Sequence, residues 1–428
     1  MRNAPFSYRD GLLHAEDVSL TDIARAVGTP FFCYSQSAVL ARYRAYTEAF
    51  ADCDALICYA LKANGNQAIV AALAQAGAGA DIVSIGEMQR ALAAGVPPER
   101  IVFSGVGKTA REMATALETG ILQFNVESEP ELRALSAVAA GRNAMVDIGI
   151  RINPDVDART HAKISTGMKE NKFGIAWDRA REIYATARDL PGLNPVSITM
   201  HIGSQLTQLA PYEAAFRRLA DLVPMLRDDG HRISRLDMGG GIGIAYEDGE
   251  TIDIADYADV VKRTVGGFGC HLLFEPGRVI VGEAGVLVAR VIYVKQEGRR
   301  FIILDAAMND LIRPTLYDAW HDIAPVREAA GAALSPADIV GPVCESGDIF
   351  AAQRPMPPVD ADDLIAIHAV GAYASVMSST YNARPLASEV LVNGRDYAVV
   401  RPRQTVEQLI ALDRLPAWLT RDRAGAAD

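Results

Sequence analysis

Cysteine is scarce in this chain, and what there is does not pair. Cys33, Cys53, Cys58, Cys270 and Cys344 are scattered over 428 residues, odd in number and without a CxxC spacing. That argues against a disulfide framework and against a structural zinc site, and makes a reducing cytoplasm the default compartment. Long apolar runs are lacking too. None approaches the ~20 residues of a membrane span. The N-terminus, MRNAPFSYRDG, has no apolar stretch of the signal-peptide kind. Basic charge is in deficit: 42 Lys and Arg against 53 Asp and Glu leave a net charge of −11. This argues against a nucleic-acid-binding surface or a polybasic membrane patch. It leaves room for a local basic pocket that holds an anionic ligand. No tandem repeat or low-complexity tract stands out.

What is present is an alternation. Short Val/Ile/Leu-rich segments suit parallel strands buried on both faces. They fall at Leu56–Ala60, Asp81–Ser84, Ile101–Ser104, Leu122–Val126, Val146–Ile152, Val196–His201, Ile233–Met238 and His271–Glu275. Helical stretches lie between them, at Asn66–Gly77, Glu87–Gly95, Arg111–Gly120, Glu129–Gly141, Arg179–Arg188 and Tyr212–Gly230, several ending at a glycine. Eight βα units in about 220 residues predict a (β/α)₈ barrel, with a doubly wound open sheet as the alternative. After residue 280 strands predominate without regular helices, which predicts a mostly antiparallel β domain. The expected division is a barrel over 36–280 and a β-sandwich or barrel-like domain over 281–428, joined by residues 1–35.

Barrels of this kind carry their chemistry at the C-terminal ends of the strands. The first strand exits as YALKAN, with Lys62 just past the buried run. Its ammonium there either pairs with a carboxylate or loses proton affinity and becomes a Schiff-base nucleophile. The sixth exits as HIGSQ: His201 could stack on a flat ring and Ser204 could meet an anion, or both could sit in an ordinary turn. The seventh exits through Gly239, Gly240 and Gly241, whose N–H groups can cradle a phosphate. The eighth exits as EPGR. Glu275 can hold a ring N–H, Gly277 can add to a phosphate cup and Arg278 can grip a carboxylate or phosphate, unless Glu275 and Arg278 merely pair. A lysine, a stacker, a phosphate cup and a ring-nitrogen carboxylate are together the parts of a pyridoxal-phosphate site.

The β domain adds GPVCESGD at 341–348, where Cys344 could donate a proton and one of the two carboxylates, Glu345 or Asp348, could receive a cationic substrate group. Arg313 and Tyr317, in RPTLY, could hold a second carboxylate. Tyr373, in GAY, could reach a phosphate. For each, the plainer alternative is a turn, a solvated loop or a core tyrosine. The loop from His161 and Lys163 to Lys172 and Gly174 carries several cations and reads as solvated, with a lid over the site as the other reading.

As an ordered set, YALKAN, HIGSQ, GGG, EPGR, CESGD and GAY resemble the alanine-racemase-like (fold type III) pyridoxal-phosphate decarboxylases, over nearly the whole chain. HIGSQ, CES and RPTLY favour the diaminopimelate branch over the ornithine, arginine and carboxynorspermidine enzymes. The resemblance implies that Lys62 binds pyridoxal 5′-phosphate covalently, His201 stacks on its ring and Glu275 holds its nitrogen. It places Ser204, Gly240, Gly241, Gly277, Arg278 and Tyr373 around the cofactor. Arg278, Arg313, Tyr317 and Tyr373 are implied to meet the substrate carboxylate end, Glu345 the distal ammonium, and Cys344 to protonate the product. It further implies a homodimer with Cys344 and Glu345 supplied across the interface. The expected activity is conversion of meso-2,6-diaminopimelate to L-lysine and carbon dioxide. A racemase on the same barrel and an inactive binding homologue are the rivals; the presence of both Lys62 and Cys344 weighs against the latter. No metal, nucleic acid or membrane partner is expected.

Overall fold

The computed structural model describes residues 5–157, 172–247, 249 and 251–420. A small sheet opens the chain, with β1 (Phe6–Arg9), β2 (Leu12–Ala15) and β3 (Val18–Ser19). It is followed by β4 (Phe31–Ser35), buried along its whole length.

Among the described residues, eight parallel strands then close into a barrel. They are β5 (Ala55–Ala60), β6 (Gly79–Ile82), β7 (Ile101–Phe103), β8 (Gln123–Val126) and β9 (Val146–Asn153); after a two-residue strand, β10 (Ile175–Ala176), come β11 (Leu193–Thr199), β12 (Arg235–Asp237) and β13 (His271–Phe274). The ring closes where β13 pairs with β5 and β8 with β9. Each expected strand is present; the second starts two residues early, and the sixth and seventh stop short of His201 and Met238. The helices start where short polar residues can cap free N–H groups. Ser84, Thr109 and Ser128 accept from the backbones of Glu87, Glu112 and Glu131. Helices were not foreseen at Leu20–Val27 and Gln36–Ala49 ahead of the barrel, nor at Ile254–Val265 before its last strand.

Alternation along the strands sorts the barrel wall. On β8, Phe124 joins the apolar core, while Gln123 and Asn125 bond to each other (2.7 Å), Gln123 to Ser197 and Asn125 to Thr199. The layer beneath the mouth is therefore polar and hydrogen-bonded, as buried polar groups must be.

The second sheet comprises β14 (Gly285–Glu297), β15 (Arg299–Leu304), β16 (Ile323–Pro325), β17 (Ser335–Val340), β18 (Ile349–Met356), β19 (Leu364–Ile367), β20 (Ser388–Asn393) and β21 (Asp396–Arg401). Its pairings are antiparallel except β15 with β17 and β4 with β20. β4 thus sits inside it, between β14 and β20. RPTLY is a turn of helix, Arg313–Tyr317, rather than a loop, and two further short helices follow at Val406–Ile410 and Ala417–Thr420. The sheet meets the barrel at its mouth: the Tyr373 N–H donates to the Ala63 carbonyl (2.8 Å), and Asn64 Nδ2 to the Gly371 carbonyl (3.0 Å). No described helix is long and apolar enough to cross a membrane.

Candidate active site

The strand exits converge on a cavity of about 440 Å³. Lys62, His201, Ser204, Gly241, Glu275, Gly277, Arg278, Arg313, Tyr317 and Tyr373 line it, and Gly240 adjoins it.

β5 runs into a short helical turn, Leu61–Ala63, that presents Lys62. The register between β5 and β6 sets Ala60 against Asp81, so Lys62 Nζ lies 2.8 Å from Asp81 Oδ2. Of the two alternatives for this lysine, pairing prevails. Burial pulls the ammonium down, but the carboxylates of Asp81 and Glu275 outweigh it and raise its proton affinity above the ordinary lysine value. Asp81 is fully buried, and its Oδ1 has no hydrogen-bond partner among the described residues.

Glu275 follows β13 and is buried. Its Oε1 accepts from Ser104 Oγ and Asn125 Nδ2, both at 3.0 Å, and Asn125 Nδ2 also donates to Asp237 Oδ2 (2.7 Å). Burial, reinforced by Asp237 and Asp81, pushes the Glu275 carboxyl well above the carboxylate range. Burial also raises Asp237 to about 6, against the opposing N–H of Gly239.

These two acids make the cofactor-free protein sensitive to alkali. Folded, they retain protons that the unfolded chain gives up above its ordinary carboxylate value, about 4. Their contribution to stability is therefore full below that value and is lost as pH rises through the folded values, about 6 for Asp237. Glu275→Gln should flatten this slope and raise the melting temperature at pH 8 more than at pH 5. Thermal scans of cofactor-free protein at both values check this, and an unchanged slope would contradict the assignment.

His201 sits just past β11. Its Nδ1 accepts the Gly240 N–H (3.2 Å), a role only an unprotonated nitrogen can play. Burial, with Arg151 and Lys62 nearby, pulls the imidazole well below its ordinary value, so it is neutral. The seventh exit turns sharply because Asp237 Oδ1 accepts the Gly239 N–H (3.0 Å). A side chain on Gly240 would place Cβ 2.1 Å from the Glu275 carbonyl oxygen. On Gly241, at φ +106°, it would lie 2.2 Å from that of Gly203. Only glycine lets the three exits pack this closely.

At the other side, the Arg278 guanidinium lies 4.6 Å above the Tyr373 ring, with Nη2 donating to Ser204 Oγ (3.2 Å) and Nη1 to the Tyr246 hydroxyl. Arg278 Nε is buried without a hydrogen-bond partner among the described residues. Arg313 is buried over the Tyr246 ring, 4.4 Å from its centroid. A flat group with an anionic tail fits these parts: a neutral imidazole face, a buried acid, a glycine cup and an orphaned cationic donor.

Cys344 and Glu345 lie elsewhere. They are exposed on the turn between β17 and β18 and do not line the cavity. Asp348 holds that turn by accepting from the Val343 and Met308 N–H groups, both at 2.7 Å. Phe173 reaches the cavity, under the Arg151 guanidinium (5.0 Å); residues 160–171 of the expected lid lie outside the described residues. Asp81, Asn125, Tyr246 and His321 were missed as site residues. Among the described residues, no cluster of side chains suits a metal ion.

A closed parallel barrel with this set of strand exits, joined to an antiparallel sheet, defines a pyridoxal-dependent decarboxylase of fold type III. Residues 36–282 match the family described as "Pyridoxal-dependent decarboxylase, pyridoxal binding domain". Diaminopimelate decarboxylase from Zymomonas mobilis is 49% identical over 421 residues, 97% of this chain and 100% of the relative. The enzyme of the same name from Pseudomonas aeruginosa is 50% identical over 411 residues, 96% and 99% of the two chains. The crystal structure of the Helicobacter pylori enzyme complexed with L-lysine superposes with a TM-score of 0.89 at 44% identity, covering 92% of this chain and 98% of that one. The chain belongs to the diaminopimelate decarboxylase family.

Proposed function

We propose that the chain removes one carboxylate of meso-2,6-diaminopimelate as carbon dioxide and yields L-lysine, the last step of lysine biosynthesis. The observation that carries this reading is the pair of guanidiniums, Arg278 and Arg313, that both lie over Tyr246 in the cavity Lys62 also lines. An ornithine decarboxylase has no second carboxylate to keep and no need of spare arginines.

Pyridoxal 5′-phosphate would be held by Lys62 through its amine, by His201 against the ring and by Glu275 at the ring nitrogen. Ser204, Gly240, Gly241, Gly277 and Tyr373 would surround its phosphate. When bound, this group supplies the electron sink for the pair left behind as carbon dioxide departs. Asp81 is placed to take the proton that Lys62 must lose before its amine can react. Glu275, in its buried acid cluster, keeps a proton on the ring nitrogen. Arg278, Arg313 and Tyr317 grip the retained carboxylate in a fixed orientation, which the fork of a guanidinium suits. The partner's Cys344 gives its proton to the carbon that lost the carboxylate, so one C–C bond breaks and one C–H bond forms. The partner's Glu345 receives the distal ammonium.

A substrate panel with cofactor added tests the reading. Meso-diaminopimelate should release carbon dioxide and give L-lysine at a kcat/KM at least about 100-fold above that for ornithine or arginine, as expected when a site built for a polar group meets an analogue lacking it. Turnover of ornithine with no lysine formed from diaminopimelate overturns it.

A further inference from the structure

We infer that His321 is a positioning residue for specificity, holding Arg313 in the orientation that reads the retained carboxylate; this rests on the function proposed above. His321 precedes β16 and is wholly buried. Its Nδ1 lies 2.8 Å from the His368 carbonyl oxygen. A carbonyl only accepts, so Nδ1 carries the proton and Nε2 presents its lone pair. That lone pair faces Arg313 Nη1 at 2.9 Å, so the arginine donates and the histidine accepts.

The ring has little freedom to do otherwise. It stands edge-on to Tyr246 at 5.2 Å and 75°, and Arg354 Nη1 holds the His321 carbonyl at 2.9 Å. Tyr246 in turn lies under Arg313 and takes a hydrogen bond from Arg278. Burial, together with Arg313, Arg278 and Arg354, pulls the imidazole down to about 3, so it stays neutral and never repels the arginine it serves. An arginine at a cavity wall has many rotamers. One N–H committed to a fixed acceptor, over a fixed ring, leaves the remaining donors at the wall in one arrangement.

Two ligands separate this role from a general structural one. L-lysine carries the retained carboxylate, and 1,5-diaminopentane has the same amines without it. In calorimetric titrations of holoenzyme, His321→Phe keeps the ring and removes the acceptor. It should weaken L-lysine about tenfold, the fold-change for one lost hydrogen bond to a charged group. Diaminopentane affinity should stay unchanged. His321→Gln puts an amide oxygen where Nε2 was and should recover most of the loss. A folded H321F protein with the wild-type ratio of the two affinities overturns the inference. A wild-type enzyme that does not distinguish the two ligands overturns instead the carboxylate reading on which it rests. A spectroscopic signature of the holoenzyme leaves His321 itself unmutated. With ¹⁵N-labelled histidine, one buried ring should show the Nδ1–H tautomer at pH 7, and its Nε2 resonance should move in Arg313→Lys. A doubly protonated ring, or no movement, counts against it.

Discussion

Lys62→Ala should leave a folded protein that neither takes on the visible absorbance of lysine-bound pyridoxal phosphate nor turns over diaminopimelate. Removing a residue that forms a covalent link with the reacting system costs on the order of 10⁴–10⁶ in kcat. The lysine stands on a three-residue helical turn at the end of a buried strand, so alanine suits the backbone there. The Asp81 carboxylate, by contrast, loses its ion pair while fully buried, which costs stability. A fall in activity with an unchanged far-ultraviolet circular dichroism spectrum would therefore report the chemistry. If the variant kept both the visible band and a tenth of wild-type turnover, Lys62 would not be the anchor. Lys62→Arg sharpens the result. It keeps a cation for Asp81 but supplies no amine of adjustable proton affinity, so it should be as inactive as alanine while melting closer to wild type.

The site was legible where a functional side chain terminates a regular apolar run. Lys62, His201 and Glu275 each follow a strand that the sequence marks clearly, and the barrel rule then directs them to one mouth. It was illegible where the partner arrives by register. Asp81 falls at the start of a run read only as a strand, and meets Lys62 because parallel pairing sets it beside Ala60. A carboxylate on the neighbouring strand, level with the lysine's exit, was the available signal. Asn125 was hidden for another reason. A strand buried on both faces is expected to be apolar throughout, yet a barrel interior beneath an ionic site must be hydrogen-bonded, so Gln123 and Asn125 alternate with Phe124. His321 and Tyr246 lie in irregular segments without periodicity, where only packing shows their roles. In β18, Arg354 and Pro355 interrupt the strand pattern. That strand sits at one end of the sheet order, where a missing N–H is tolerated.

Mixing two inactive variants should restore activity, and this follows from the distance between Cys344 and the cavity. Cys344→Ala alone should bind cofactor normally and lose about 10²–10⁴ in turnover, the usual contribution of a positioned proton donor. Lys62→Ala alone is inactive for the reason already given. Within one chain the two residues do not share a pocket. Cys344 and Glu345 are exposed on a turn pinned by Asp348, and Asn382 Oδ1 accepts the Cys344 N–H at 3.0 Å. Exposed apolar side chains flank that turn, Leu316, Ile349 and Tyr381, each 38–44% accessible. Such a patch marks an association surface. If a symmetric dimer brings this turn to its partner's barrel mouth, a hybrid of the two variants has one site with both defects and one with neither. Random exchange makes half the dimers hybrid, so an equimolar mixture should reach about a quarter of wild-type activity once subunits have exchanged. If each chain completed its own site, every site in every hybrid would carry a defect and the mixture would stay inactive. Differently tagged variants establish exchange independently, by recovery of both tags on one affinity column. Hybrids isolated that way and found inactive would overturn the shared site. The same preparation measures the role of the thiol, since Cys344→Ser in place of alanine retains a donor of far weaker acidity and should give an intermediate rate.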